Sequence, residues 1–124
     1  MKITIVGRPA SKKNSRRVFM HKYTHRMMNL PSQAYDNFRA SAIPQIKQHM
    51  YYQSFKPFAN PIKVDYIFYR KGKLKQDISN AMASIEDVMQ DAGLIIDDEL
   101  IQDGTFKRFS GCEEWKTEIT ITEI

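Results

Sequence analysis

The feature that most restricts the fold is an amphipathic segment over residues 77–92. At 100° per residue its apolar side chains form one continuous stripe, which a helix must bury against another layer of structure. Gly93 follows directly, and glycine is the most frequent residue just beyond a helix C-terminus. The chain therefore needs an apolar surface that faces this stripe. The stripe comprises Ile78, Ala81, Met82, Ile85, Val88, Met89 and Ala92.

Four segments have the composition or the alternation of β-strands. The clearest covers residues 62–70, where β-branched and aromatic side chains dominate, as in a central strand. Residues 2–7 alternate and end at a glycine, and two further strands are predicted over about 100–109 and 115–122. A weaker pattern between residues 18 and 28 is compatible with a short hairpin.

A second helix is predicted to begin at residues 31–32, and Pro44 is expected to kink or divide it. Two helices and about four strands without repeats or linkers predict one α+β domain over residues 1–124, with a mixed sheet packed by the helices. The apolar positions that define the second helix are Tyr35, Phe38, Ala42 and Ile46.

The charge of the chain is unevenly distributed. Nineteen basic and fourteen acidic residues give a net charge of +5, but residues 77–103 hold eight acids and no lysine or arginine. The rest of the chain, with nineteen basic and six acidic residues, has a net charge of +13. This division is typical of a protein that holds a polyanion on one surface and metal cations on another. Two solvated faces of opposite charge would give the same counts.

The acidic helix carries a narrow stripe of oxygen-bearing side chains opposite its apolar one. Asp77 opens this stripe, either as an N-cap or as a metal ligand, and both alternatives stay open. The members of the stripe fall within about 80° of arc, and they are Asp77, Asn80, Ser84, Asp87 and Asp91.

A pair of adjacent acids, Asp97 and Asp98, follows an apolar run. Two like charges in close contact cost free energy unless a cation or water screens them. Mg²⁺ takes oxygen ligands, usually one or two carboxylates together with water and substrate phosphate. In an extended chain the two side chains point to opposite sides, so we expect only one to share a site with Asp77. Two solvated acids in a turn are the alternative.

The sequence disfavours calcium and zinc sites, an internal disulfide and a secreted or membrane-bound protein. An EF-hand loop starting at Asp97 fails because Gln102 and Arg108 stand where glycine and glutamate are required. One cysteine, Cys112, and three scattered histidines form no zinc pattern and no internal disulfide. No apolar run is long enough for a signal peptide or a membrane span, so a soluble, cytoplasmic protein is predicted.

Three stretches of the chain resemble the RusA family of crossover junction endodeoxyribonucleases, the Holliday junction resolvases of phages and bacteria. They are IVGRPASKKNSRR at residues 5–17, PSQAY at 31–35 and QDISNAMASIEDVMQDAGLIIDDELI at 76–101. The last is the most specific, because it is similar to the family's helix motif followed by a pair of aspartates. The matching positions are Asp77, Asn80, Asp87, Asp97 and Asp98.

The resemblance implies Mg²⁺-dependent cleavage of four-way DNA junctions by a homodimer, with Mn²⁺ as a possible substitute. Asp77, Asp97 and Asp98 are the expected metal ligands, and Asn80 and Asp87 the expected supporting residues. Neither a membrane nor a small-molecule cofactor is expected to take part. The residues expected to contact DNA phosphates are Lys12, Lys13, Arg16, Arg17, Lys73 and Lys75.

Two positions depart from the family motif. Ser79 stands where the typical family has a second aspartate, and Ala83 stands where it has a lysine. Lys73 or Lys75 in the preceding loop could supply the missing cation. The sequence therefore leaves two hypotheses open, an active junction resolvase and a catalytically inactive junction-binding protein. A basic interaction domain without a nucleic-acid role is a third, less specific alternative.

Overall fold

The computed structural model describes residues 1–11, 17–20, 27–30 and 33–124, with 17–20 and 27–30 described by their backbone alone. The predicted strands and helices are present, and the weak hairpin pattern is confirmed as two short antiparallel strands. The elements are β1 (Lys2–Val6), β2 (Arg17–Met20), β3 (Met27–Leu30), α1 (Gln33–Tyr52), β4 (Ile62–Lys71), α2 (Ile78–Asp91), a short 3₁₀ helix (Asp98–Leu100), β5 (Ile101–Cys112) and β6 (Lys116–Glu123).

The main sheet has four strands in the order β1, β6, β4, β5. β4 lies inside the sheet, as its apolar composition predicts, and pairs antiparallel with β6 and parallel with β5. A parallel pair needs a crossover connection, and α2 provides it. β1 pairs antiparallel with β6. The predicted α+β fold with a mixed four-stranded sheet and two helices is therefore confirmed.

The core lies between one face of this sheet and the two helices. Alternate residues of β4 point into it, so their side chains are buried while their neighbours are half-exposed. The apolar stripe of α2 contributes Ile85, Val88 and Met89 to the same cluster. The four predicted positions of α1 are also buried, and the largest fully buried side chain is Tyr35.

Pro44 does not divide α1, so the expected division of this helix was wrong. The helix continues through the proline from Gln33 to Tyr52. Proline removes one backbone hydrogen bond, to the carbonyl four residues earlier, which belongs to Ala40. Both Pro44 and Ala40 are exposed, so water can take the place of the missing donor. The predicted start at residues 31–32 lies outside the described residues.

α1 runs along the outer edge of β1 and binds its backbone with side chains. Gln45 accepts a hydrogen bond from the Val6 amide (2.8 Å) and donates one to the Val6 carbonyl (2.9 Å). One turn later, His49 Nε2 lies 3.3 Å from the Thr4 amide and 3.2 Å from the Thr4 carbonyl. A further turn on, Gln53 donates to the Lys2 carbonyl (3.1 Å). α1 thus occupies the position that a neighbouring strand would take.

Among the described residues, no helix combines the length and the apolar character that crossing a membrane requires.

Candidate active site

The N-terminus of α2 is formed by Asp77, which is its N-cap. The backbone of Asp77 is extended (φ −75°, ψ 126°), and its Oδ1 accepts hydrogen bonds from the amides of Ser79 (2.8 Å) and Asn80 (3.2 Å). This geometry satisfies two of the amides that a helix start leaves unpaired. Both bonds use Oδ1 and the side chain is exposed, so Oδ2 can accept a further contact.

Asp77 and Asn80 line a cleft of about 620 Å³ at this end of α2. The other walls come from the loop after β1, which contributes Arg8 and Ser11, and from the first turns of α1. Lys75 lines the cleft beside Asp77. The cleft therefore combines a carboxylate with basic side chains, an arrangement that suits a phosphate bound through a cation.

The loop before Asp77 is held by two arginines. Arg8 donates to the Lys75 carbonyl (3.0 Å) and stacks on the ring of Trp115 at 5.0 Å. Arg108, on β5, donates to the Gln76 carbonyl (2.7 Å). No sequence pattern selects Arg108, because its position beside the loop depends on the register of β5 with β4. Arg8 could have been found as the basic residue that follows the first strand.

Most of the oxygen-bearing stripe of α2 serves packing within the fold. Ser84 is fully buried and donates to the Ala10 carbonyl (2.8 Å), which fixes the loop after β1 to α2. Asp91 accepts from the Tyr35 hydroxyl (2.8 Å) and from Arg39 Nε (3.1 Å), both on α1. Burial, followed by this bond to Asp91, raises the pKa of Tyr35 above its usual value.

Asp87 belongs to the middle of α2 and not to the cleft. Its negative charge contributes to the raised pKa of Tyr35, after burial and the contact with Asp91, so Asp87 faces the α1 side of the helix. Ten residues separate it from Asp77, which corresponds to about 15 Å along a helix. Asp87 and Asp77 are therefore well separated within one chain, and a supporting role of Asp87 at the site stays a prediction.

The acidic pair lies at the other end of α2. Asp97 is extended (φ −154°, ψ 145°), and its Oδ1 accepts from the Glu99 amide (2.9 Å) at the start of the 3₁₀ helix. This bond, and then one with Asp98, lowers the pKa of Asp97 below its usual value. The Asp98 amide donates to Gln90 in the last turn of α2 (3.3 Å). Both acids are exposed.

The expected metal ligands are therefore divided between two places. α2 has fourteen residues, so its ends lie about 21 Å apart at 1.5 Å per residue. Within the described ranges, no three acidic, histidine or cysteine side chains are close enough to hold a metal ion. Within one chain, Asp77 therefore lies at the opposite end of α2 from Asp97 and Asp98, and their role as metal ligands stays a prediction.

The predicted DNA-contacting residues have different outcomes. Lys73 and Lys75 are exposed in the loop that leads into Asp77. Lys12, Lys13 and Arg16 lie outside the described residues. Arg17 begins β2, and its side chain is likewise outside the description.

The two departures from the family motif lie on one side of α2, four residues apart. Ser79 is exposed and Ala83 is half-buried one turn further along the helix. A longer side chain at Ser79 would meet solvent and not the core.

Comparison with known proteins assigns the chain to a family. The family model for endodeoxyribonuclease RusA matches residues 7–122, nearly the whole chain. The chain therefore belongs to the RusA endodeoxyribonuclease family, which confirms the resemblance found in its sequence. No curated protein matches it.

Proposed function

We propose that this protein resolves four-way DNA junctions in recombination and repair by hydrolysing phosphodiester bonds, in the cytoplasm of a bacterial or phage-infected cell. Membership in an endodeoxyribonuclease family supports the reaction class. The observation that carries the proposal is the cleft at the start of α2, where Asp77 lies beside Lys75 and Arg8. A carboxylate within a basic cleft is what a nuclease needs to hold a cation against a DNA phosphate.

The basic loop before α2 is suited to binding the DNA backbone. Lys73 and Lys75 are exposed on it, and Leu74 between them is half-exposed. Lysines placed in this way neutralise phosphates without reading the base sequence. The loop is fixed by Arg8 and Arg108, so its charges have a defined position relative to Asp77.

We propose that the reaction requires Mg²⁺, for which Mn²⁺ can substitute. A divalent ion supplies an activated water and stabilises charge on the phosphate. Among the described residues, the expected ligands fall in two groups, Asp77 with Asn80 at the cleft and Asp97 with Asp98 at the far end of α2. Because the expected ligands are divided between these two places, we propose that the active form is a homodimer in which two chains complete each site.

The test is cleavage of a synthetic four-way junction with and without Mg²⁺. We expect Asp77→Asn to reduce the rate at least about 100-fold, because asparagine keeps the N-cap and removes the charge. Asp65→Asn is the matched control, since Asp65 also accepts two hydrogen bonds, from the amide and hydroxyl of Thr105, and lies outside the cleft. No cleavage by the wild type, or equal rates for wild type and Asp77→Asn, would contradict the proposal.

A second candidate is a junction-binding protein without nuclease activity. Ser79 and Ala83 motivate it, because they replace an acid and a lysine of the family motif. This candidate predicts tight, salt-sensitive junction binding with no product at any Mg²⁺ concentration. Ser79→Asp combined with Ala83→Lys would then create cleavage. An active wild type excludes this candidate.

A further inference from the structure

The main sheet has an outer face, opposite the two helices, whose described side chains are all exposed or half-exposed. Successive side chains of a strand point to opposite faces, and on β4 they alternate between buried and half-exposed. The residues of β5 that point to the outer face are all exposed, and they are Asp103, Thr105, Lys107 and Phe109. The outer face is therefore open to a partner that fits its side chains.

Two aromatic rings and a lysine form a row across this face at one end of the sheet. The strand register pairs Lys116 of β6 with Tyr69 of β4, and Tyr69 with Phe109 of β5. The two rings stack with their centroids 5.7 Å apart and their planes 25° from parallel. Lys116 Nζ lies 4.5 Å from the centre of the Tyr69 ring. These three residues are called the outer row below.

The outer row ends at Phe109 on the edge strand. Among the described residues no strand lies beyond β5, and the Phe109 side chain is 45% exposed. Lys107 Nζ lies 5.8 Å from the centre of the Phe109 ring. An exposed ring with a cation beside it is the combination by which proteins bind single-stranded nucleic acids, because the ring stacks on a base and the cation holds a phosphate.

The charge at this end of the sheet also suits a nucleic acid. Residues 69–75 and 107–118 form this end, and they hold seven basic and three acidic residues. One of the three acids, Glu118, is already paired with Lys2 (3.9 Å). The other two lie in the connection between β5 and β6. The excess of positive charge favours a polyanion over a neutral partner.

The basic loop over residues 71–76 connects the outer row with the cleft. β4 leads from Tyr69 into this loop, and the loop leads to Asp77 at the start of α2. The Gly72 amide donates to the Cys112 carbonyl (3.1 Å), so the loop is attached to the end of β5. A DNA strand that leaves the cleft can follow the lysines of this loop to the outer face.

We propose that the outer row binds an unpaired segment of DNA, with one base stacked on Phe109 and a neighbouring phosphate held by Lys107. This site goes beyond the proposed cleavage, because it lies on the face of the sheet opposite the helices and needs no metal ion. Paired DNA does not fit it, since the bases of a duplex stack on one another and present only their edges. Membership in an endodeoxyribonuclease family selects DNA over RNA.

The site is tested by fluorescence anisotropy of a labelled oligothymidylate about twelve nucleotides long, titrated with the full chain in EDTA. The wild type should bind it more tightly than an abasic strand of the same length, because only the first strand has bases to stack. Phe109→Ala should weaken binding of the oligothymidylate about tenfold and leave binding of the abasic strand unchanged. Phe109→Tyr keeps the ring and should bind like the wild type.

Phe106→Ala is the matched control, because Phe106 is an exposed phenylalanine of the same strand (57% exposed). Its register partner Tyr66 is buried on the helix side, and register partners point to the same face, so Phe106 faces away from the outer row. Phe106→Ala should leave the affinity for the oligothymidylate unchanged. A four-way junction with fully paired arms should bind Phe109→Ala and the wild type equally well.

Four results would overturn the proposal. They are a wild type that does not prefer the oligothymidylate to the abasic strand, equal losses in Phe106→Ala and Phe109→Ala, and tighter binding of an oligouridylate RNA. The fourth is Phe109→Ala with unchanged affinity but altered sedimentation, which would assign the outer row to contacts between copies of the chain. Because every titration excludes metal ions, a protein that does not cleave junctions can still pass this test, and an active nuclease can still fail it.

Discussion

The two edge strands of the main sheet, β1 and β5, differ in whether other parts of the chain cover their outward backbone groups. At β1, two side chains of α1 and that of Gln53 just after it occupy the outward backbone groups, so no further strand can pair there. At β5, the described residues leave the outward side uncovered. An open edge risks uncontrolled association, and proteins usually protect it. The difference teaches that this chain closes one edge with its own side chains, whereas the described residues leave the other edge open.

The largest effect is expected from opening the closed edge. Replacing Gln45, His49 and Gln53 by alanine removes the side chains that bind the β1 backbone. At about 1 kcal/mol for each side chain, the free energy of unfolding should fall by about 3 kcal/mol. Urea denaturation measures this loss.

The control for the closed edge is Gln48→Ala. Gln48 is an exposed glutamine of the same helix. Its substitution should change the free energy of unfolding by less than about 0.5 kcal/mol. Equal stability of the triple variant and Gln48→Ala would show that packing alone, and not the side-chain contacts, seats α1 on β1.

The attachment of the open strand to its neighbour should depend on Gly104. A Cβ atom at this position would overlap the Val64 carbonyl of β4. We expect Gly104→Ala to lower the free energy of unfolding by about 2 kcal/mol, although alanine usually stabilises a strand relative to glycine. Ser110→Ala on the same strand should have an effect below about 0.5 kcal/mol in the same urea titration. A neutral Gly104→Ala would mean that the two strands can separate slightly without cost.

Arg108 on β5 also holds the loop beside the cleft, because it donates to the Gln76 carbonyl. Lysine cannot reproduce the planar guanidinium that reaches the Gln76 carbonyl, so Arg108→Lys should loosen the loop before Asp77. We expect about a tenfold loss of kcat for junction cleavage with little change in KM, because the charge is kept. Arg70→Lys is the control, since Arg70 Nε donates to the Ser110 hydroxyl (3.2 Å), away from the cleft. A loss in KM alone would instead assign Arg108 to DNA binding.

The smallest change in the free energy of unfolding is expected from the hydrogen bond between Tyr35 on α1 and Asp91 on α2. Tyr35→Phe removes the bond to Asp91 and should cost about 1 kcal/mol. Because burial raises the pKa of Tyr35 in the folded state, its stabilising contribution is complete below pH 10 and declines as the pH rises further. The variant should therefore show a weaker loss of stability above pH 10 in urea titrations, whereas Tyr51→Phe, 81% exposed, should behave like the wild type.

The sequence predicted those elements whose residues determine their own structure. β4 and α2 follow from a β-branched run and an apolar stripe, and Asp77 was recognised as a possible N-cap. Pro44 was misread because its effect depends on the exposure of the Ala40 carbonyl, which only the packed helix reveals. Residue spacing along the chain predicts an element correctly when the contacts that determine it lie within that element.

The candidate site was less predictable, because its parts come from distant segments. Asp77 and Asp97 belong to one motif, yet the helix between them holds them apart. Arg108 reaches the loop beside the cleft only through the parallel register of β4 and β5. A family motif can therefore select candidate residues without showing that one chain brings them together.

The contact between α1 and β1 also limits how long such an edge can be. Four residues of a helix advance about 6.0 Å, and two residues of a strand advance about 6.7 Å. Because these two advances are unequal, the helix falls behind the strand by about 1.4 Å over three contacts. A fourth contact would be displaced by about 2 Å, beyond the range of hydrogen-bond lengths. Any lengthening of β1 by two residues would therefore expose backbone groups that α1 cannot reach.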